Sequence, residues 1–272
     1  MMNPSENKQF EDKWGNILKN HSFPEEKSLF VPQGEEPKTQ RQFNLYHYFE
    51  FIRKKIGEKN YKTALEVGCG RGTIGLYLHK YLGVDITLLD SSEDAINLAK
   101  YNFDLWKGKG AFFVEDVQRM HFPDESFDVV VSIGLLEHLP DYVSALREQY
   151  RVLKHGGIMV SVNIPQKKSI QVLNNFYRYI LGIAKKHLHK DYFRNTDTPE
   201  DYKMNAEDVC FKDVKVFYVN PFPLFTPLGV ISERAITSLY RFLYAVRGLF
   251  MHYPFRGSKV FSQAHFLTGK KR

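Results

Sequence analysis

Three alternate glycines with a carboxylate just before them, and two further carboxylates downstream, set the chemistry open to this chain. In "LEVGCGRG", Glu66 precedes Gly68, Gly70 and Gly72. One glycine suffices for a turn. Three let the backbone run almost against a ligand and let the following element start tightly. Asp90 closes the apolar run "DITLLD", 22 residues beyond Gly68. A carboxylate there can accept two hydrogen bonds from a ribose diol. Asp116 follows the next apolar run, in "FFVEDV". A carboxylate at that place can accept from an adenine amino group while Val117 packs on the ring.

The same turn excludes two phosphate-binding patterns. A P-loop needs Gly-Lys-Ser/Thr at its end, and the chain has Arg71-Gly72-Thr73. The dinucleotide fingerprint needs a third glycine where Thr73 stands. The spacing here is instead E-x-G-x-G-x-G.

The elements that must hold these residues follow from periodicity. Strands are expected at "TALEV", "DITLLD", "AFFVED", "FDVVVSI" and "GIMVSVN". Helices are expected after Thr73, from Ser92 to Asn102 with Ser91 and Asp94 as a capping box, and from Asp141 to Leu153. Another helix is expected from about Thr39 to Ile56. Apolar strands separated by amphipathic helices make a parallel sheet covered on both faces, a doubly wound α/β domain. Ligands of such sheets bind beyond the carboxyl ends of the strands, which is where the glycine turn and both aspartates fall. Residues 1–38, cut by Pro4, Pro24, Pro32 and Pro37, read as an N-terminal extension, and 39–272 as the domain. Two late strands, "DVKVFYV" and "VFSQAHFLTG", are preceded by connections of about 165–212 and 220–259. Connections that long contain helices of their own and can serve as lids.

"LEVGCGRG", "LLDSS", "VEDV", "FDVVVSIGLLEHLPD" and "RVLKHGG" resemble, in order and spacing, the motifs of the class I S-adenosylmethionine-dependent methyltransferases. Within that family the chain is most similar to the small-molecule branch that includes quinone-biosynthesis methyltransferases. The resemblance covers about 61–163 and implies a Rossmann-like seven-stranded sheet whose last strand is antiparallel. It implies S-adenosyl-L-methionine as cofactor, with Gly68, Cys69 and Gly70 at its methionine portion and Glu66 anchoring the turn. It further implies Asp90, followed by Ser91, at the ribose, Asp116 and Val117 at the adenine, and Ser132, Ile133, Gly134 and Leu135 along the methionine end. A cofactor without phosphate, carrying a sulfonium and an ammonium, suits a turn without lysine beside Glu66.

His138, with Glu137 next to it, follows the fourth strand, the edge where an acceptor should approach. Histidine titrates near neutrality, so His138 is the candidate general base, the other reading being a hydrogen bond within its loop. Neither an Asp/Asn-Pro-Pro-aromatic motif nor a Pro-Cys is present there, which argues against nucleobases, and no nucleic-acid partner is expected. His187 and His189 stand two apart, on different helix faces, so no metal site is expected.

Charge and hydropathy bear on the acceptor. The chain of 272 residues carries a net charge of +7. From Pro221 onward, Arg234, Arg241, Arg247, Arg256, Lys259, Lys270, Lys271 and Arg272 face one acid, Glu233, so this stretch holds the whole surplus. Two amphipathic stripes lie in the long connections. One runs through Ile170, Leu173, Tyr177, Ile180, Leu181, Ala184 and Leu188, with Lys185, Lys186 and Lys190 after it. The other runs through Ile231, Ala235, Leu239, Phe242, Val246 and Leu249. Both are readable as lid helices packed on the domain, or as a hydrophobic mouth resting on a membrane surface. Two cysteines and the lack of an apolar leader set a reduced, cytoplasmic protein as the expectation, with peripheral membrane contact. The expected function is methyl transfer to oxygen or carbon of a hydrophobic or lipid-linked small molecule. Methylation of RNA or protein, and cofactor binding without transfer, are the alternatives.

Overall fold

The computed structural model describes residues 4–19, 27–57, 59–164, 176–177, 179–180, 193–226 and 228–272. Seven strands form one sheet in the order β3-β2-β1-β4-β5-β7-β6. They are β1 (Thr63–Val67), β2 (Asp85–Asp90), β3 (Ala111–Val114), β4 (Phe127–Ile133), β5 (Leu153–Asn163), β6 (Lys212–Val219) and β7 (Ala264–Lys270). The first five are parallel, while β7 runs antiparallel between β5 and β6. The helices are α1 (Pro4–Lys19), α2 (Gln40–Ile56), α3 (Thr73–Leu82), α4 (Glu93–Leu105), α5 (Tyr142–Val152), α6 (Pro199–Asp208) and α7 (Val230–Gly248). This is the Rossmann-like sheet that the motifs imply.

Strand alternation divides the core into two layers. Ala64, Ile86, Leu88, Val129, Val131 and Val160 pack against α2, α3 and α4 on one face. Leu65, Val67, Leu89, Val130 and Met159 pack against α5 and α6 on the other. The order runs outward from β1 to β2 and β3 on one side and from β4 to β5 on the other, so it reverses between β1 and β4, and the crevice lies at the carboxyl end of β1.

Some boundaries differ from the sequence reading. α4 is capped by Ser92, whose hydroxyl accepts from the Ala95 N–H, and not by Ser91, which is exposed. β3 stops at Val114, so Glu115 and Asp116 lie in the turn beyond it. The extension is not a separate piece. Its first part is the sixteen-residue helix α1, packed on α4. Its second part is bound to the domain through the Tyr77 hydroxyl, which accepts from the Val31 N–H, and through Asn102, whose amide donates to the Lys27 carbonyl.

The C-terminal charges do not share one face. β7 runs against the parallel strands, so Lys270, Lys271 and Arg272 lie at the amino edge of the sheet, away from the crevice. Lys271 is buried there and donates to the Arg151 carbonyl, and Arg272 pairs with Asp213. Arg241 pairs with Glu36. Lys270, Lys271 and Arg272 therefore stand at the edge of the sheet opposite the crevice.

Glu66 connects the sheet to the helix that follows the turn. It is buried on the α3 side of β1, and its Oε2 accepts from the Gly75 N–H at 2.7 Å. Burial pushes its carboxyl up to about 8, against the pull of that hydrogen bond. A carboxyl raised above its unfolded value near 4.5 stabilises the fold fully below about pH 4.5, and the contribution is lost as pH rises toward 8. Glu66→Gln, which imitates the protonated carboxyl, should therefore lose less stability than the parent between pH 5 and pH 8.5. The difference should exceed about 1 kcal/mol, the equivalent of less than one pKa unit. Urea midpoints at the two pH values measure it, and equal pH slopes would contradict the assignment.

Candidate functional site

The crevice is built on the turn after β1. Gly68, Gly70 and Gly72 all have positive φ, at 63°, 51° and 66°, a region that side chains other than glycine rarely adopt. Space is limiting as well. A Cβ on Gly68 would lie 2.7 Å from Leu135, and one on Gly70 2.8 Å from the Trp14 ring. The Cys69 N–H donates to the Leu89 carbonyl, and Gly72 to the Cys69 carbonyl, which closes the turn. The Cys69 thiol is buried and its pKa is raised by that burial, so it is not a ready nucleophile.

Asp90 holds the next corner. Its Oδ2 accepts from the Gly70 N–H at 2.8 Å and its Oδ1 from the Ser92 N–H at 3.0 Å. Burial raises its pKa, and the two N–H bonds oppose the rise. A carboxylate offers about four lone-pair sites, so two remain for further donors. That is the capacity a ribose diol needs. Asp116 reaches the same edge from the turn after β3. Its Oδ1 accepts from the Gln118 N–H, and Val117 is buried next to it. The three corners, with a glycine cradle between them, fit an adenosyl group bearing no phosphate.

The end of β4 forms the opposite wall. Ser132 is fully buried, and its hydroxyl begins a chain through Ser161 and Asn163 to His265 on β7. Ile133 is partly exposed, Gly134 has φ 66° and donates to the Val162 carbonyl, and Leu135 abuts Gly68. Leu135 therefore meets the glycine turn directly.

A 3-10 turn, Leu136–His138, continues from this wall. His138 Nδ1 lies 2.7 Å from the Phe193 carbonyl. A carbonyl can only accept, so Nδ1 carries the proton and Nε2 is the unprotonated nitrogen. Nε2 is 4.0 Å from Glu137 Oε1. Burial lowers the His138 pKa to about 4, and the charges of Arg194 and Lys13 act in the same direction. Glu137 is buried and moves the other way, up to about 7, mainly through loss of solvent. Its Oε1 accepts from the Ile164 N–H, and its Oε2 has no hydrogen-bond partner among the described residues.

Several contributors were not foreseen. The stretch 193–195 clamps the turn: Asn195 donates to the carbonyls of Glu137 and Leu136, and the Tyr202 hydroxyl donates to the Asn195 side chain. Glu11 and Trp14 of α1 also reach this corner, at Ser92 and Gly70, although the prolines read the extension as short pieces. The signal was present in the sequence, since Phe10, Trp14 and Ile17 recur at helical spacing. Of the two amphipathic stripes, the first lies outside the described residues except for Tyr177 and Ile180, as do Lys185, Lys186, Lys190, His187 and His189. No group of three or more metal-ligating side chains occurs among the described residues.

A family model described as a methyltransferase domain matches residues 65–161. The chain is 33% identical over 177 residues to a demethylmenaquinone methyltransferase of Listeria welshimeri, covering 58% of this chain and 71% of that one. Against the corresponding protein of Listeria monocytogenes it spans 57% of the relative's length. It is 36% identical over 115 residues to the 2-methyl-6-phytyl-1,4-hydroquinone methyltransferase of Synechocystis, 42% of this chain and 36% of that one. Among solved structures it is similar to Haemonchus contortus Phospholethanolamine N-methyltransferase 2, in complex with phosphomonomethylethanolamine and S-adenosylhomocysteine. That likeness has a TM-score of 0.55 and 17% identity, covers 83% of this chain and 52% of that one, and speaks to the fold. The glycine turn, the reversing sheet and these relatives agree, and the chain belongs to the class I S-adenosylmethionine-dependent methyltransferases.

Proposed function

We propose that this methyltransferase acts on a small hydrophobic acceptor, at oxygen or carbon, and takes it up at a membrane surface. The observation that carries the reading is the outer face of α7. Ile231, Leu239, Phe242, Val246 and Leu249 are all exposed, as are Phe250, Val260 and Phe261. The helix packs inward through Thr237 and Tyr240 instead. The stripe is therefore turned away from the domain, and so large an exposed apolar area in a soluble chain marks an interaction surface. Exposed Arg234, Arg256 and Lys259 border it. The same helix is tied to the start of α2, since Gln40 donates to both oxygens of Glu233. No helix among the described residues is long and apolar enough to cross a membrane. Two of the relatives are named for hydrophobic quinone-type acceptors, which supports the same class here.

In this reading Asp90 holds the ribose, Asp116 and Val117 the adenine, and Gly68, Cys69, Gly70 and Ser132 to Leu135 the methionine portion. Bound S-adenosylmethionine supplies an electrophilic methyl group on a sulfonium. The chain's part is alignment in a water-poor crevice, worth up to about 7–11 kcal/mol in favourable cases. Where the acceptor must lose a proton, His138 Nε2 is the proposed base, kept in the receptive tautomer by the Phe193 carbonyl. Glu137, Arg194 and Lys13 face it.

Asp90→Ala should weaken S-adenosylhomocysteine by about 1.5–3 kcal/mol, the range for hydrogen bonds to a charged group. Calorimetry measures this, and unchanged affinity in a folded variant would remove the ribose from Asp90.

His138→Ala should lower turnover by about 10²–10⁴-fold with cofactor affinity preserved. The base works unprotonated, so kcat/KM should hold through neutrality and fall only as pH drops through about 4. A fall centred near 7 would assign the base to Glu137, whose carboxyl must ionise there.

For the membrane, sedimentation should rise with the anionic lipid content of vesicles and weaken with salt, at roughly 1 kcal/mol per basic residue close to the surface. Phe242→Asp with Phe250→Asp should abolish it and leave cofactor affinity alone. Recovery of the parent protein in the supernatant at low salt would exclude the membrane route.

A further inference from the structure

A second cleft lies beyond the end of β6. It has a volume of about 550 Å³, with Pro221, Arg247, Met251, Arg256, Ser258 and Phe261 on its walls. β6 is antiparallel to β7, which is antiparallel to β5, so β6 ends at the same edge of the sheet as the cofactor crevice. Backbone bonds fix the walls. Arg256 bridges Val219, the Gly257 N–H donates to the Tyr218 carbonyl, and the Gln263 N–H donates to the Asn220 carbonyl.

Two guanidinium groups meet here without a counter-ion. Arg247 is half-buried at the end of α7 and is held by neutral groups. Its Nε donates to the Pro254 carbonyl at 2.8 Å, and one terminal nitrogen donates to the Arg256 carbonyl at 2.6 Å. Carbonyls orient a guanidinium and leave its charge in place. The Arg256 side chain is exposed and makes no hydrogen bond or ion pair among the described residues. No acidic side chain lines the cleft. Glu200, bonded to the Tyr218 hydroxyl, pairs with Lys259 instead. Paired guanidinium forks match the oxygens of a phosphate in geometry and in charge.

The rim of this cationic cleft is apolar. Phe261 is 70% exposed, and Leu249, Phe250 and Val260 are 78%, 83% and 58% exposed. A soluble phosphate ester would leave that surface bare, whereas the acyl chains of a lipid would cover it.

We propose that the cleft binds the phosphate monoester headgroup of an anionic phospholipid, between Arg247 and Arg256, with the acyl chains along the exposed face of α7. The choice of a lipid over a soluble ester rests on the membrane reading given above, to which it adds a specific headgroup contact.

Two soluble probes test the cleft without a membrane. Dihexanoyl phosphatidic acid and glycerol 3-phosphate share the phosphate monoester and differ in the acyl chains. Calorimetry on the full chain should find the lipid bound at least about tenfold more tightly, a factor that burial of a few methylenes supplies. Arg256→Gln, which breaks no bond of its side chain, should weaken the lipid by about 10- to 100-fold, the factor for charged hydrogen bonds. Arg234→Gln removes the same charge about 20 Å away along α7, beyond the screening length, and should leave the affinity within about twofold. Vesicles test the membrane separately. At equal surface charge the parent should sediment better with phosphatidic acid than with phosphatidylglycerol, and Arg256→Gln should lose that preference. Equal sedimentation with both lipids, and no heat from dihexanoyl phosphatidic acid, would remove the headgroup site and leave the membrane reading standing. Heat that Arg256→Gln abolishes, without any sedimentation, would keep the site and remove the membrane reading. Equal affinity for glycerol 3-phosphate would overturn the lipid assignment, and unchanged affinity in Arg256→Gln would overturn the site.

Discussion

A carboxylate removed from water and bonded to two backbone N–H groups fixes the geometry of the crevice. Asp90 ties the turn after β1, through Gly70, to the start of α4, through Ser92. The two segments come from different βα units, and nothing in their local sequence would hold them at that distance. Buried N–H groups must find acceptors, so the carboxylate sets the spacing of the corner before any ligand arrives. Glu66 does the equivalent one layer deeper, between β1 and α3. Removal of either side chain would leave buried donors unpaired, which costs more than the bond itself contributes.

The sheet and the turn were legible because both depend on short-range rules. Apolar strands, amphipathic helices and glycines at positive φ leave marks within a few residues. Ser92 was misassigned by one position because Ser91 and Ser92 are equal in type, and only the fold decides which one faces the Ala95 N–H. The charges were less legible. A count of residues from Pro221 onward suggested one basic surface, but the antiparallel β7 carries Lys270, Lys271 and Arg272 to the opposite edge. Composition has no direction; topology supplies it. The α7 stripe was visible as a period, and whether it faced the domain or solvent depended on Thr237 and Tyr240 anchoring the other side.

The neighbouring residues Glu137 and His138 show how burial divides labour. Desolvation disfavours whichever form is charged, so it raises the carboxyl to about 7 and lowers the imidazole to about 4. Near neutrality the imidazole is uncharged and the carboxyl stands at the midpoint of its titration. The turn 136–138 therefore holds a weaker base and a stronger one side by side, and the Phe193 carbonyl determines which nitrogen of the weaker one carries the proton.

The position of β7 also bears on how the chain acquires its sheet. Its residues, 264–270, are synthesised after both strands that flank it, and β6 has no other partner in the sheet. Until they emerge, β5 and β6 each present an open hydrogen-bonding edge, a surface that recruits stray strands. Pairings over so long a sequence separation form slowly. The nascent chain must therefore protect two exposed edges until β7 has emerged, when the cofactor crevice at the other end of the sheet already has all its corners.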